Sequence, residues 1–211
     1  ILKIGVPTAV QDGCIQVAFI IITVIANYRG LNDAAAVGVV EKVISMLFLV
    51  PSSMLATVSA ISAQNIGAGK PERAVRTLKY ATAITVAYGI AISVVVELTA
   101  SSIIGLFTTD ATVIVLGVQY IRSYIVDAIF AGVHFCFSGF FAACGRSYIG
   151  FIHNIIAITL VRVPGSYLAS KMFPHTLFPM GIAAPAGSLL SVFICLGFYA
   201  WLRRRSVLEA K

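Results

Sequence analysis

Charge is what this sequence has least of. Asp, Glu, Lys and Arg together make up 11% of its 211 residues, against about 25% in a soluble domain, while hydrophobic residues reach 59% and mean hydropathy is +0.98. That scarcity excludes water as the main solvent of the fold. Acids are the rarer sign, eight against fifteen basic residues. Metal chemistry also lacks material. The four cysteines, Cys14, Cys136, Cys144 and Cys195, lie inside apolar runs with no CxxC spacing and no matching histidine cluster, and read as small buried side chains. HExxH, GxSxG, P-loop and GxGxxG patterns are missing, so no enzymatic reaction and no cofactor is expected. Gly145-Arg146-Ser147 with His153 downstream lacks an oxyanion element. The basic residues are not interleaved with aromatics on one face, which excludes a nucleic-acid partner.

What is present is long apolar runs. Val43 to Gly69 and Met172 to Leu202 contain no Asp, Glu, Lys or Arg, and shorter runs recur between them. About 20 apolar residues cross the roughly 30 Å hydrocarbon core as a helix. Runs and breakers together predict an all-α membrane protein, a six-helix bundle with spans near 4–28, 36–66, 77–98, 119–144, 147–170 and 181–202. Residues 100–117 read as an interfacial helical turn. The apolar runs recur almost to the last residue, so nothing resembles a cleavable leader. The chain opens on Ile1 rather than Met, three residues before its first apolar run, and is expected to begin inside a longer protein.

Positive loops stay on the cytoplasmic side. Placing Lys3, the Lys70–Lys79 loop, Arg146 and the tail from Arg203 inside puts both ends in the cytoplasm, as an even number of spans requires. Proline marks three spans: Pro51 in the second, Pro164 late in the fifth and Pro185 opening the sixth. Pro51 frees the carbonyl of Leu47, and Ser52 or Ser53 can help to satisfy the local backbone, giving either a static kink or a hinge. Small residues four apart, Ala183/Gly187, Ala184/Ser188 and Ala128/Gly132, predict close helix packing.

Polar residues inside the spans sort onto narrow faces when wound at about 100° per residue. Asp12, Gln16, Thr23 and Asn27 share one face of the first span; Glu41, Ser45, Ser52 and Ser59 share one of the second. Tyr120, Tyr124, Asp127, His134 and Ser138 line one side of the fourth, and His153, Asn154 and Arg162 interrupt the fifth. A charge at mid-membrane costs at least ~2.5 kcal/mol, so such residues face a bundle interior or a wet cavity. Two readings stand. In one, Asp127, Glu41 or Asp12 exchanges a proton or holds a cation in a chamber lined by Gln16, Thr23, Asn27, Tyr120, Tyr124, His134, Ser138 and Asn154. In the other, the network is static, with Asp127 neutralised by Arg162, Glu41 paired with Lys42 at the interface, and the histidines satisfied in the core. Arg162 belongs with the structural residues, since a fixed cation repels a cationic substrate.

Several stretches carry a resemblance: Ile4-Gly5-Val6-Pro7, Val50-Pro51-Ser52-Ser53-Met54, the run from Ala63 to Ala74 (AQNIGAGKPERA), Leu106-Phe107-Thr108-Thr109-Asp110, Phe141-Ala142-Ala143-Cys144-Gly145-Arg146-Ser147 and Arg162-Val163-Pro164. Each is weak alone, but six in order over nearly the whole chain are specific. The sequence resembles the C-terminal half of the multidrug and toxic compound extrusion (MATE) family. That resemblance implies one six-helix lobe of a twelve-helix antiporter in the plasma (inner) membrane, helices seven to twelve. The implied partners are an N-terminal lobe, membrane lipids and small cationic organic substrates, exported in exchange for Na⁺ or H⁺. The sequence departs from the family at Ile15 and Ala131, positions where many members carry acids. Either the site has shifted to Asp127, one turn before Ala131, and to Gln16, or coupling rests on the other lobe. The rival to coupled export is a channel-like or purely structural membrane bundle.

Overall fold

The computed structural model describes residues 2–204, with the side chains of residues 2–9, 11 and 12 outside the described set. Among the described residues every regular element is helical: α1 Leu2–Asn27, α2 Leu31–Leu47, α3 Leu49–Gly67, α4 Pro71–Gly105, α5 Ala111–Tyr124, α6 Asp127–Ala143, α7 Tyr148–Ala157, α8 Val163–Met172 and α9 Phe178–Arg204. A π-helical turn, Ile158–Arg162, joins α7 to α8. Joined end to end, these make six helical units. Leu31–Gly67, Pro71–Gly105, Tyr148–Met172 and Phe178–Arg204 are long and apolar enough to cross a membrane, and α5 with α6 makes a fifth such unit bent by 44°. At 26 residues α1 has the length of a sixth.

Several boundaries differ from the sequence expectation. The interfacial turn expected at 100–117 is not a separate element. Residues up to Gly105 continue α4, and α5 starts at Ala111 because the Asp110 carboxylate accepts from the N–H groups of Thr112 (2.8 Å) and Val113 (3.3 Å). The fourth unit therefore begins eight residues earlier than Gln119 and is broken after Tyr124. Pro185 does not open the last helix; it is buried inside α9, which starts at Phe178. The second unit starts at Leu31, and its helix is interrupted at Phe48, three residues before Pro51.

The α3–α4 and α6–α7 connections are built alike. Gly69 (φ 70°) and Gly145 (φ 73°) take the left-handed conformation that a side chain disfavours. Past them, Lys70 N–H bonds Asn65 O (2.8 Å) and Arg146 N–H bonds Phe141 O (2.8 Å), closing both helices with the same C-terminal motif.

Packing is tightest where glycine lets backbones meet. A Cβ on Gly139 of α6 would lie 2.3 Å from Leu55 O of α3, and one on Gly89 of α4 would lie 2.8 Å from the Ile129 Cα. A Cβ on Gly132 would lie 2.7 Å from the Thr85 Cβ, so the Ala128/Gly132 pair packs as expected. The buried apolar side chains form two clusters. One joins Ile22, Val37, Ile44, Ile104, Ile121 and Leu177; the other joins Val58, Leu78, Phe140, Phe141, Ile149 and Cys195. The helix directions place them toward opposite ends of the bundle, leaving a polar layer between.

Arg29, in the α1–α2 turn, closes one end. Its Nε lies 2.7 Å from Asp33 Oδ2, and its terminal nitrogens donate to the carbonyls of Ser170 (3.3 Å), Phe173 (3.0 Å), Pro174 (3.0 Å) and Thr176 (3.2 Å). The loop before α9 is thus tied to the start of α2. Gln119 holds the same loop, accepting from Thr176 Oγ1 and Leu177 N–H.

Candidate functional site

Between the two apolar clusters lies a cavity of about 360 Å³ walled by five of the six helical units. α1 contributes Ile15, Gln16 and Phe19; the α2–α3 break contributes Ile44, Ser45, Phe48 and Ser52. Tyr124, Asp127, Ala131, His134 and Phe135 come from the bent α5–α6 pair, Asn154 and Arg162 from the α7–α8 unit, and Ser188 and Ser191 from α9. Gln16, Ser45 and Ser52 are exposed, so the cavity opens on the α1–α2 side, while Asp127, His134 and Asn154 form its buried floor.

Local breaks in helix geometry bring these residues together. Pro164 has no N–H to give, and the helix before it widens until Val163 N–H bonds Ile158 O, five residues back. In a straight α-helix Asn154 and Arg162 would point about 80° apart at about 100° per residue. The wider turn winds less per residue and brings both into one cavity. The α5–α6 break has a tertiary origin: Ser93 of α4 donates to Ile125 O (3.3 Å) at the bend, and Gly89 admits α6 beside it.

Asp127 is 1% exposed; the Ser188 hydroxyl donates to its carboxylate, and its Oδ1 has no hydrogen-bond partner. The static pair with Arg162 is absent. The ion pairs among the described residues are Arg29–Asp33 and Arg122–Glu97. Arg162 instead donates to the Tyr124 hydroxyl and stacks over the rings of Phe19 (4.8 Å to the centroid) and Tyr124 (5.5 Å), contacts that hold a guanidinium without a carboxylate. Its Nε is buried and unpartnered.

Glu41 makes no interfacial pair with Lys42, which is exposed. Thr23 Oγ1 donates to Glu41 Oε2 at 3.0 Å, and Oε1 is buried without a partner. Glu41 lies behind the cavity wall, yet it and Asp127 are both within electrostatic reach of Arg162. The charge of one guanidinium therefore acts on two carboxyls.

A second polar group lies deeper along α6 and α7. His134 and His153 meet edge to face with ring centroids 5.5 Å apart, and Ser138 Oγ shares a 2.9 Å hydrogen bond with His153 Nε2. Their Nδ1 atoms and the Asn154 Nδ2 are buried and unpartnered, so these histidines are not fully satisfied core residues.

The remaining predicted residues divide. Tyr120 is buried edge-on to Tyr124 (5.7 Å) but does not reach the cavity, and Asn27 is exposed beyond it. The side chain of Asp12 lies outside the described residues. Ser52 and Ser53 bond the local backbone, donating to Leu49 O and Val50 O, while the carbonyl freed by Pro51, Leu47 O, receives the Tyr88 hydroxyl of α4 at 2.8 Å. Ile15 and Ala131 do line the cavity, as apolar residues. Sequence reasoning missed Phe19, Phe48 and Phe135, which look like any core aromatic. It read Ser188 as a packing residue, although its spacing from Ala184 placed it on the right face.

Comparison with known proteins gives the fold and the family. At 14% identity the chain superposes on a Vibrio cholerae MATE transporter with a TM-score of 0.90, covering 99% of this chain and 48% of that one. It superposes on an outward-facing multidrug resistance MATE transporter with a TM-score of 0.88, at 18% identity over 99% of this chain and 46% of the other. Among curated proteins it is 22% identical over 205 residues to the probable multidrug resistance protein YoeA of Bacillus subtilis, covering 97% of this chain and 44% of that protein. It is 24% identical over 199 residues to human multidrug and toxin extrusion protein 1, covering 94% and 34%. The chain thus spans less than half the length of the relatives it matches. The MatE family model matches residues 7–168, more than half of the chain, and with that match the chain belongs to the MatE family.

Proposed function

We propose that this lobe works in a secondary active transporter that exports cationic drugs or other xenobiotics in exchange for Na⁺ or H⁺. It does so with an N-terminal lobe, in the plasma (inner) membrane, with both ends of this chain cytoplasmic. The observation that carries the proposal is the charge balance of the polar layer. Asp127 and Glu41 each keep a buried oxygen without a partner, and a single guanidinium, Arg162, lies within reach of both. With both carboxyls ionised the layer is one positive charge short, and a buried uncompensated charge is costly. A proton, a sodium ion or a cationic substrate makes up the difference, and only one can do so at a time. Competition for one missing charge is the physical basis of exchange.

The roles follow from position. Asp127, on the cavity floor, takes the coupling ion or proton, with Ser188 orienting its carboxylate. Glu41, behind the wall and bonded to Thr23, biases the same layer without touching substrate. Phe48 and Phe135 offer aromatic faces to an organic cation, and Gln16, Ser45 and Ser52 line its entry. Arg162 is occupied by two rings and a hydroxyl, so it sets the charge balance and leaves the substrate to the aromatics. Alternating access then requires this lobe and its partner to rock about the shared cavity.

The test is uptake of a fluorescent organic cation by the full-length protein in liposomes, driven separately by a Na⁺ or a pH gradient. Asp127→Asn removes the missing-charge condition for ion and substrate alike and is expected to cut gradient-driven uptake at least about tenfold. Unchanged coupling under both gradients refutes the assignment.

A further inference from the structure

At the end of the bundle opposite Arg29, remote from the central cavity, lies a second cavity of about 700 Å³. Lys70, Arg73, Arg76 and Lys79, from the start of α4 and the turn before it, and Arg203, from the end of α9, line it against one carboxylate, Glu72. The ion pairs among the described residues engage other cations, so none of these five is paired with an acid among the described residues. Sidedness requires only that such residues sit on the correct flank of the membrane. It does not require segments from distant parts of the chain to converge on one concave site, where like charges repel. Convergence of that kind fits an anionic ligand of more than one charge.

The surroundings point to the bilayer as its source. α4 and α9 both pack on α6 and flank it. Along α4, Ile84, Ile90 and Val94 are each at least half exposed, and α9 presents Phe193 at 63%. Tyr199, on the cavity wall, stacks on Phe137 and Phe140 of α6 with centroids 5.7 and 5.9 Å away. Next to it Trp201 carries the Arg146 guanidinium at 5.3 Å, a pairing of aromatic and cation typical of the headgroup level. The basic cavity thus sits at the ends of two helices, α4 and α9, that expose apolar side chains farther along their length.

We propose that this cavity binds the headgroup of an anionic phospholipid, its phosphate among Lys70, Arg73, Arg76, Lys79 and Arg203 and its acyl chains along α4 and α9. Basic cavities between membrane helices recognise such lipids through phosphate charge, with a salt dependence set by screening.

The experiment uses delipidated full-length transporter in detergent, titrated with phosphatidylglycerol, cardiolipin or phosphatidylcholine and read by native mass spectrometry. Wild type is expected to retain the anionic lipids, and Lys70→Gln/Arg73→Gln/Arg203→Gln to retain at least about fivefold less, with phosphatidylcholine unaffected and Arg122→Gln behaving as wild type. Equal retention in wild type and triple variant, or equal loss in Arg122→Gln, overturns the site. Displacement of the lipid by inorganic phosphate at matched concentration overturns the lipid as its ligand. Should the triple variant elute as aggregate, Arg203→Gln and Arg76→Gln taken singly carry the test, each expected to reduce anionic lipid retention about twofold; no reduction in either overturns the proposal.

Discussion

Arg29 shows how much of this molecule hangs on single side chains. Its side chain is 6% exposed and meets one carboxylate and four carbonyls. Arg29→Ala leaves Asp33 without its pair and the 170–176 segment without its donor, and is expected to lower stability by about 2–4 kcal/mol. The measurement is thermal unfolding of the detergent-solubilised full-length protein, with Asp33→Ala to close a double-mutant cycle; an unchanged midpoint in Arg29→Ala contradicts the clasp. Arg29 drew no notice as sequence because a basic residue in a short loop reads as a sidedness signal, and its four acceptors lie more than 140 positions away. Asp127, Tyr124, His134 and Asn154 were legible, because a polar residue inside an apolar run must be explained. The aromatic wall and the Ser188 donor were not, because hydrocarbon packing uses those same residues for nothing more than volume.

Each helical break has its own cause, and the causes decide which could be read in advance. The six units follow from apolar runs and breakers; the Asp110 cap, which starts α5 inside the stretch read as an interfacial turn, did not. Nor did the α5–α6 bend. Neither Ile125 nor Val126 disfavours helix, and the break exists because Ser93 and Gly89 on α4 act there. The π turn lies between these cases: Pro164 announces a disturbance but not that it takes the form of one widened turn. Pro164→Ala restores an N–H able to reach Leu160 O, allowing a regular α-helix through this stretch. Rotating Arg162 away from Tyr124 is then expected to reduce cation uptake at least about tenfold, while the unfolding midpoint is unchanged or higher. Full transport in Pro164→Ala would separate the turn from the site.

The chamber opens on one side, walled there by α1 and the α2–α3 break, and α1 and α2 also expose the apolar residues Val17, Ile20, Val24 and Met46. In the full-length transporter, Ser52→Cys, placed in a background without Cys14, Cys136, Cys144 and Cys195, is expected to react with a water-soluble maleimide at least about fivefold more slowly when a transported cation is bound. Ser62→Cys, buried at the α3 packing surface, is expected to stay unreactive throughout. A Ser52→Cys rate indifferent to substrate would mean that the chamber is not the transport path. The Tyr88 hydroxyl constrains how any such rocking proceeds. Because it occupies the Leu47 carbonyl at the proline, α2 cannot straighten or fold further at that point without either giving up the bond or dragging α4 along. The pivot therefore belongs to two neighbouring rods rather than one, and a push on the chamber wall at Ser45 or Phe48 is delivered to the far flank of the lobe.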